Sequence, residues 1–239
     1  MTTDHWLVDD IRPPDSEDLL EIERAAGHDQ YVTRGGLRAP RVALTIHDVT
    51  IHDCRKLFGG ADIRLDVLVV QGGSSARGSI YHPRTFRFHD VRDGERLAID
   101  EGGMLAYLGE PRYFLDVFLA ASRDRADSKD LGDLLSAAAG APQLGQAIDS
   151  ITALTLGATA GLVGPALHAA TMLGDLAFKV VAQATSNSIG LYRGSWLQIR
   201  DGFGIGRHPE GQDAFRVKDM SFWYQILLEQ PAQERITAG

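Results

Sequence analysis

The chain has 239 residues, of which 44% are hydrophobic and 23% charged, and its formal net charge is −8. These proportions are ordinary for a folded globular protein, and the length suffices for one large domain or two small ones. The negative charge argues against a nucleic-acid partner, because such binding relies on Lys and Arg to neutralise phosphates. The single cysteine, Cys54, excludes an internal disulfide and fits a reducing compartment. Residues 1–10 lack the basic and apolar segments of a signal peptide, so we expect a cytoplasmic protein.

Residues 1–40 are predicted to form an irregular arm followed by one short helix. A Pro-Pro pair closes the arm at Pro14. Asp15 or Ser16 can cap a helix that Gly27 ends. We expect this segment to be a latch beside the main domain.

The next part of the chain alternates short apolar segments with turns rich in Gly and Asp. This pattern is typical of an antiparallel sandwich or barrel rather than of alternating strands and helices. The predicted strands are 41–51, 63–70, 85–91, 97–100 and 113–120, with 189–200 and a segment over 215–229 that ends in a long aromatic and apolar strand. In the first strand the apolar positions change parity at His47-Asp48, which predicts a β-bulge or twist there.

Residues from about 131 to 187 interrupt the strands with helical patterns. Asp130 can cap a first short helix, Pro142 can open a second, and Pro165 can begin a third after a break at Gly164. The polar positions of the third helix recur every three or four residues: His168, Thr171, Asp175, Lys179 and Gln183. The third helix is therefore predicted to be amphipathic, with an ion pair between Asp175 and Lys179. We expect residues 41–239 to form one mainly-β domain, an antiparallel β-sandwich with an α-helical hairpin insert.

The insert contains a neutral stretch, Ile151 to Gly174, with no Asp, Glu, Lys or Arg. Its length meets the criterion for a membrane span, and Gly157 and Gly161 have the spacing of close helix packing. The break at Gly164-Pro165 instead predicts two packed helices. Contact with lipid or with a second subunit stays open as an alternative.

An acidic loop, 124–130, follows the strongly apolar strand. Three carboxylates in this loop repel one another unless a cation lies among them, and oxygen-rich loops suit Ca²⁺. The alternative is a solvated turn that neighbouring basic residues neutralise: Arg123, Arg125 and Lys129.

Two segments resemble elements of C2 domains. FLDVFLAASRDRADSKDLG, residues 114–132, resembles the C2 unit in which an apolar strand runs into D-x-D and then into Asp, two hydrophobic residues and Gly. GGADIRLDVLV, residues 59–69, resembles the C2 segment G-x-S-D-P-Y-V that opens a strand. The resemblance covers about residues 41–132. Ser122 stands where the family has another Asp, and Ile63-Arg64 replaces the Pro-Tyr of the family.

The resemblance implies a β-sandwich that binds phospholipid or a protein partner through loops at one end. It also implies Ca²⁺ as the cofactor, with Asp62, Asp124 and Asp130 as ligands and Asp53 as the acid of the first loop. The aromatic residues Phe203 and Trp223 are further candidates for a contact surface.

Histidine–aspartate pairs indicate an alternative function, a metal-dependent hydrolase. The pairs are His47-Asp48, His52-Asp53 and His89-Asp90. The odd spacing of His47 and His52 predicts that a regular strand points them to opposite faces. No nucleophile motif accompanies them.

We therefore expect a non-enzymatic, C2-like module that binds a phospholipid membrane surface or a protein partner with the help of calcium. The helical insert would be its second contact surface, and its location would be cytoplasmic or peripheral to a membrane. Two alternatives stay open: a structural or assembly protein that forms homo-oligomers through the insert, and the hydrolase.

Overall fold

The computed structural model describes residues 7–10, 41–72, 79–138, 140, 142–155 and 163–229. In these ranges two β-sheets face each other, and helices cover the outer face of one of them. The prediction of a mainly antiparallel β fold with a helical segment before its last strands is confirmed. Within the same ranges no helix combines the length and the apolar character needed to cross a membrane. The helix predicted between Asp15 and Gly27 lies outside the described residues.

The first sheet has five strands in the order β1-β8-β7-β3-β4. They are β1 (Leu7–Asp10), β3 (Ala61–Gln71), β4 (Tyr81–Val91), β7 (Phe114–Arg123) and β8 (Ser186–Leu197). All pairings are antiparallel except that of β1 with β8, which is parallel. Four residues of the predicted irregular arm therefore form an edge strand.

The second sheet has six strands, with β10-β11-β2-β5 as its main path, β6 beside β2 and β9 beside β11. They are β2 (Val42–Ile51), β5 (Glu95–Arg96), β6 (Met104–Gly109), β9 (Gly206–His208), β10 (Phe215–Val217) and β11 (Met220–Leu228). The segment 215–229 ends in the predicted long strand, β11, and a turn at Lys218 and Asp219 joins this strand to β10. The predicted strand 97–100 is wrong: these residues are irregular, and the strands lie on either side of them.

The β-bulge predicted from the parity change in β2 is present. His47 lies opposite Trp223, whereas the next pair in the ladder is Thr50 opposite Ser221, so β2 carries one extra residue. Asp48 lies in this bulge with a φ of 49°. The extra residue reverses the alternation of side chains in the rest of β2. The apolar side chains before and after the bulge therefore reach the same core.

The helices form a third layer over the five-stranded sheet. They are α1 (Leu131–Ala137), α2 (Pro142–Thr155) and α3 (Val163–Ala184), all between β7 and β8. Gly174 of α3 lies so close to the sheet that a Cβ atom there would be 1.9 Å from Cε1 of Phe118. The described part of the neutral stretch thus packs against its own sheet. Gly157 and Gly161 lie outside the described residues.

The amphipathic character predicted for α3 is confirmed, because four residues of its polar stripe are exposed and Thr171 is half-buried. Asp175 does not pair with Lys179, however. It accepts a hydrogen bond of 2.6 Å from Arg193 on β8, whose guanidinium also lies over the Phe118 ring. This contact joins the helix layer to the sheet. A single-turn helix, α4 (Gln198–Asp201), follows β8.

Candidate functional site

Several loops meet at one end of the sandwich, where β2 and β7 end and β3 begins. The amide N of Asp124 donates to the carbonyl of Asp62 over 2.8 Å. The 52–60 loop contacts the β4–β5 turn, since the amide N of Cys54 donates to Oδ1 of Asp93 over 2.7 Å. The loops implied by the C2 resemblance are therefore neighbours in space.

The acidic loop 124–130 closes around one arginine, Arg87 of β4. Nε of Arg87 donates to Oδ2 of Asp124 over 2.8 Å, and Nη1 donates to Oδ1 of Asp130. Nη2 donates to the carbonyl of Ser128 over 2.9 Å. The carboxylates of Asp130 and Asp124 raise the pKa of Arg87. The cation among these carboxylates is thus a guanidinium that lies more than thirty residues away in the sequence.

A second arginine, Arg64, contacts the same loop from its buried side. Its side chain is fully buried and donates twice to Asp66, over 2.6 and 2.7 Å. Nη1 also donates to Lys129 O over 2.7 Å and to Ser128 Oγ over 3.1 Å. Two guanidiniums therefore fix the loop, which was predicted to be organised by a metal ion or by Arg123, Arg125 and Lys129.

The other two predicted ligands have partners of their own. Oδ1 of Asp62 accepts from the amide N of Asp90 over 3.2 Å and lies 3.3 Å from Nδ1 of His89. Oδ1 of Asp53 accepts from the amide N of Arg55 over 2.7 Å. The structure brings Asp62 and Asp124 together through the backbone, while Asp53 caps its own turn.

As arranged here, these aspartates do not fit a calcium ion. Asp124 and Asp130 both accept from Arg87, so a metal ion between them requires the guanidinium to leave. Among the described residues, no group of three or more His, Cys, Asp or Glu is placed to hold a metal ion. Calcium binding at Asp62, Asp124 and Asp130 stays a prediction of the resemblance.

The base of the 52–60 loop is held by polar contacts on both sides. Arg55 forms an ion pair with Asp219 of the β10–β11 turn. Nη1 of Arg123 donates to the carbonyl of Arg55 over 2.9 Å. Gly60 packs so closely that a Cβ atom there would lie 2.3 Å from Oδ1 of Asp90. The loop therefore has a fixed base from which its tip projects.

The tip of this loop is apolar and free of contacts with the core. Leu57 is 93% exposed and Phe58 is 87% exposed, whereas no other large hydrophobic residue of the described part exceeds 49%. Lys56 precedes them, and its Nζ donates to the carbonyl of Gly60. Leu57 and Phe58 were not predicted from the sequence as contact residues. The signal was two adjacent large apolar residues inside a loop rich in Gly and charge, where no strand or helix needs them.

The histidines do not gather into a site. The bulge in β2 brings His47 and His52 to the same outer face, so the predicted separation to opposite faces is wrong. They nevertheless have separate partners, because His47 stacks on Trp223 and Nε2 of His52 lies 3.0 Å from Oγ of Ser221. His89 is exposed beside Asp62.

Cys54 and Phe203 belong to the core of the sandwich, at 1% and 3% exposure. Burial raises the pKa of the Cys54 thiol, which disfavours the nucleophilic thiolate. Phe203 is thus unavailable as a contact residue on the surface.

No protein-family model matches the chain, and no curated protein matches it either.

Proposed function

We propose that this chain is a C2-like module that docks on a phospholipid membrane surface through the tip of the 52–60 loop. The observation that carries the proposal is the apolar pair Leu57–Phe58, fully exposed on a loop whose base is fixed. Two large apolar side chains in water gain free energy only when something covers them. The resemblance to C2 domains supports a lipid surface as that cover.

The free energy gained by burying Leu57 and Phe58 in a membrane is sufficient for weak, reversible docking. Complete burial of a Leu or Phe side chain is worth about 1.5–3 kcal/mol. Two such side chains therefore contribute roughly as much as a marginal single lipid anchor, which binds membranes reversibly. A second signal is needed for stable attachment.

One basic residue beside the tip contributes to that second signal. Lys56 is adjacent to Leu57, and no carboxylate of the described residues pairs with it. Each basic residue close to an anionic leaflet adds roughly 1 kcal/mol. The net charge of −8 opposes the approach to an anionic leaflet, but salt screens this repulsion beyond about 8 Å. The tip therefore favours anionic over neutral membranes.

Calcium is not required for docking in this arrangement, because Arg87 already pairs with both Asp124 and Asp130. The C2 resemblance, in contrast, predicts that calcium assists. Vesicle binding with Ca²⁺ and with a chelator separates these two versions of the proposal. Equal binding in both conditions supports the arginine-held loop.

Sedimentation with vesicles of phosphatidylserine and phosphatidylcholine tests the proposal. The wild-type chain is expected to pellet with these vesicles and to pellet less with phosphatidylcholine alone. The double variant L57S/F58S should lose at least about tenfold in apparent affinity, because roughly 1.4 kcal/mol or more of apolar transfer is removed.

The matched control is L227S/L228S, which removes the same kind of apolar surface from β11, where the two leucines are 42% and 49% exposed. This control should pellet like the wild type. Absence of pelleting with anionic vesicles, with or without Ca²⁺, contradicts the proposal. Equal losses in the two double variants would contradict the role of the tip.

A further inference from the structure

The outer face of the six-stranded sheet carries a polar groove of about 390 Å³. This volume lies within the range of small-molecule sites. The groove is lined chiefly by Asp48, Thr50, Arg96, Arg207, Ser221 and Trp223. We call it the Arg96–Arg207 groove. The membrane proposal does not use it.

Two side chains pack on the aromatic ring of the groove. His47 stacks on one face of Trp223, with ring centroids 4.0 Å apart and planes 5° from parallel. The guanidinium of Arg207 lies over the indole at 4.6 Å from the ring centroid. These two contacts leave less of the indole surface on which a sugar or a nucleobase can stack.

The carboxylate of the groove is also engaged. Oδ2 of Asp48 accepts from Nε1 of Trp223 over 2.8 Å, and Oδ1 pairs with Arg96. The β-bulge places Asp48 in this position. Its charge is neutralised by Arg96, so the second guanidinium, that of Arg207, leaves the groove positive.

Arg207 is held in place by neutral acceptors. Nη1 donates to the carbonyl of Pro209 and Nη2 to that of Asp213, each over 2.6 Å. No carboxylate of the described residues forms an ion pair with it. A guanidinium fixed by carbonyls and by ring stacking is pre-organised, and it loses little entropy when it binds an anion.

We propose that the Arg96–Arg207 groove binds the oxyanion group, a phosphate, sulfate or carboxylate, of a small molecule. Arg207 supplies a fixed positive charge, and Arg96 supplies N–H donors beyond those that pair with Asp48. The hydroxyl of Thr50 supplies a neutral donor, and that of Ser221 lies 3.0 Å from Nε2 of His52. Donors thus exceed free acceptors in the groove, which suits an anion better than a cation or a neutral sugar.

Titration with inorganic phosphate, followed by NMR, tests the proposal. The indole Nε1–H resonance of Trp223, which lies at the groove, is expected to shift in a saturable manner. R207Q and R96Q should each weaken binding by roughly tenfold or more, because each removes charge-assisted hydrogen bonds. Arg96 is exposed, so R96Q remains a test if R207Q fails to fold.

The matched control is R84Q, which removes the same charge from an exposed residue of β4 on the other sheet. It should bind phosphate like the wild type. A non-saturable response, equal weakening in R84Q and R96Q, or stronger binding of glucose than of phosphate would each overturn the proposal.

The oxyanion can belong to a lipid headgroup or to a soluble molecule. If R96Q and R207Q lower vesicle pelleting as well as phosphate affinity, the groove binds a headgroup. If they lower phosphate affinity alone, the ligand is soluble. The variant L57S/F58S should bind phosphate normally, so that failure of membrane docking and failure of the groove are distinguishable.

Discussion

At the scale of single residues, the molecule uses arginine where the sequence predicts a metal ion. Arg87 sits between Asp124 and Asp130, and Arg64 supports the same loop from a buried position. Nothing near the acidic loop in the sequence identifies these arginines, because they reach it through the pairing of β3 with β4 and β7. The acidic loop was recognisable from the sequence, whereas its counter-ions depend on strand register.

The stacked His47 predicts a dependence of stability on pH. Burial, and then the charge of Arg207, lower the pKa of His47 below its ordinary value of 6.5. The unfolded chain therefore takes up a proton at this histidine as the pH falls through about 6.5, while the folded chain does not. The stability that the neutral ring contributes is fully present above about pH 6.5. It is lost as the pH falls from there to the lower pKa of His47 in the folded chain.

The free energy of urea unfolding, measured from about pH 7.5 to 5.5, checks this prediction. H47Q should show a shallower decline than the wild type, because one histidine with a lowered pKa is gone. His52 and His82 also have pKa values lowered chiefly by burial, so some decline should remain. Identical slopes in wild type and variant would contradict the prediction.

At the scale of elements, a β-bulge hides one strand from the sequence, β6, but not another, β2. The shift of parity in β2 was visible because apolar residues lie on both sides of His47-Asp48. In β6 the adjacent residues Ala106 and Tyr107 are both buried, and the register with β2 shifts at this point. This bulge hides the alternation, and β6 was not predicted for that reason.

The contact between α3 and the five-stranded sheet can be tested at Gly174. A Cβ atom at this position overlaps the Phe118 ring, so G174A should lower the free energy of unfolding by roughly 1–2 kcal/mol. The steric overlap therefore outweighs the higher helix propensity of alanine, which alone would stabilise the helix by up to about 1 kcal/mol relative to glycine.

The control for this substitution is G145A in α2, where an added Cβ meets no atom within 4 Å. It should stabilise the protein by up to about 1 kcal/mol. Chemical unfolding of both variants measures the difference. A stabilised G174A would show that the helix layer does not press on the sheet as described.

At the scale of the whole molecule, the chain forms three layers, and the candidate contact surface lies on a loop at one end of them. The six-stranded sheet, the five-stranded sheet and the helices bury two cores, and the apolar face of α3 is covered by its own chain. The helical insert, predicted as a second contact surface, presents a polar stripe outward. Among the described residues, the two most exposed large apolar side chains, Leu57 and Phe58, lie instead at the loop end. The composition of the chain predicts neither the covered face of α3 nor the exposed apolar tip, because exposure is a property of the folded chain.

If the tip of the 52–60 loop enters the membrane, the emission of a tryptophan at position 58 reports it most directly. In the F58W variant, vesicles of phosphatidylserine and phosphatidylcholine should shift the added emission to shorter wavelengths, and brominated lipid should quench it. The L227W variant, with its probe on β11, should show neither effect. If F58W pellets with the vesicles while its emission stays unshifted and unquenched, docking occurs elsewhere and the account is contradicted.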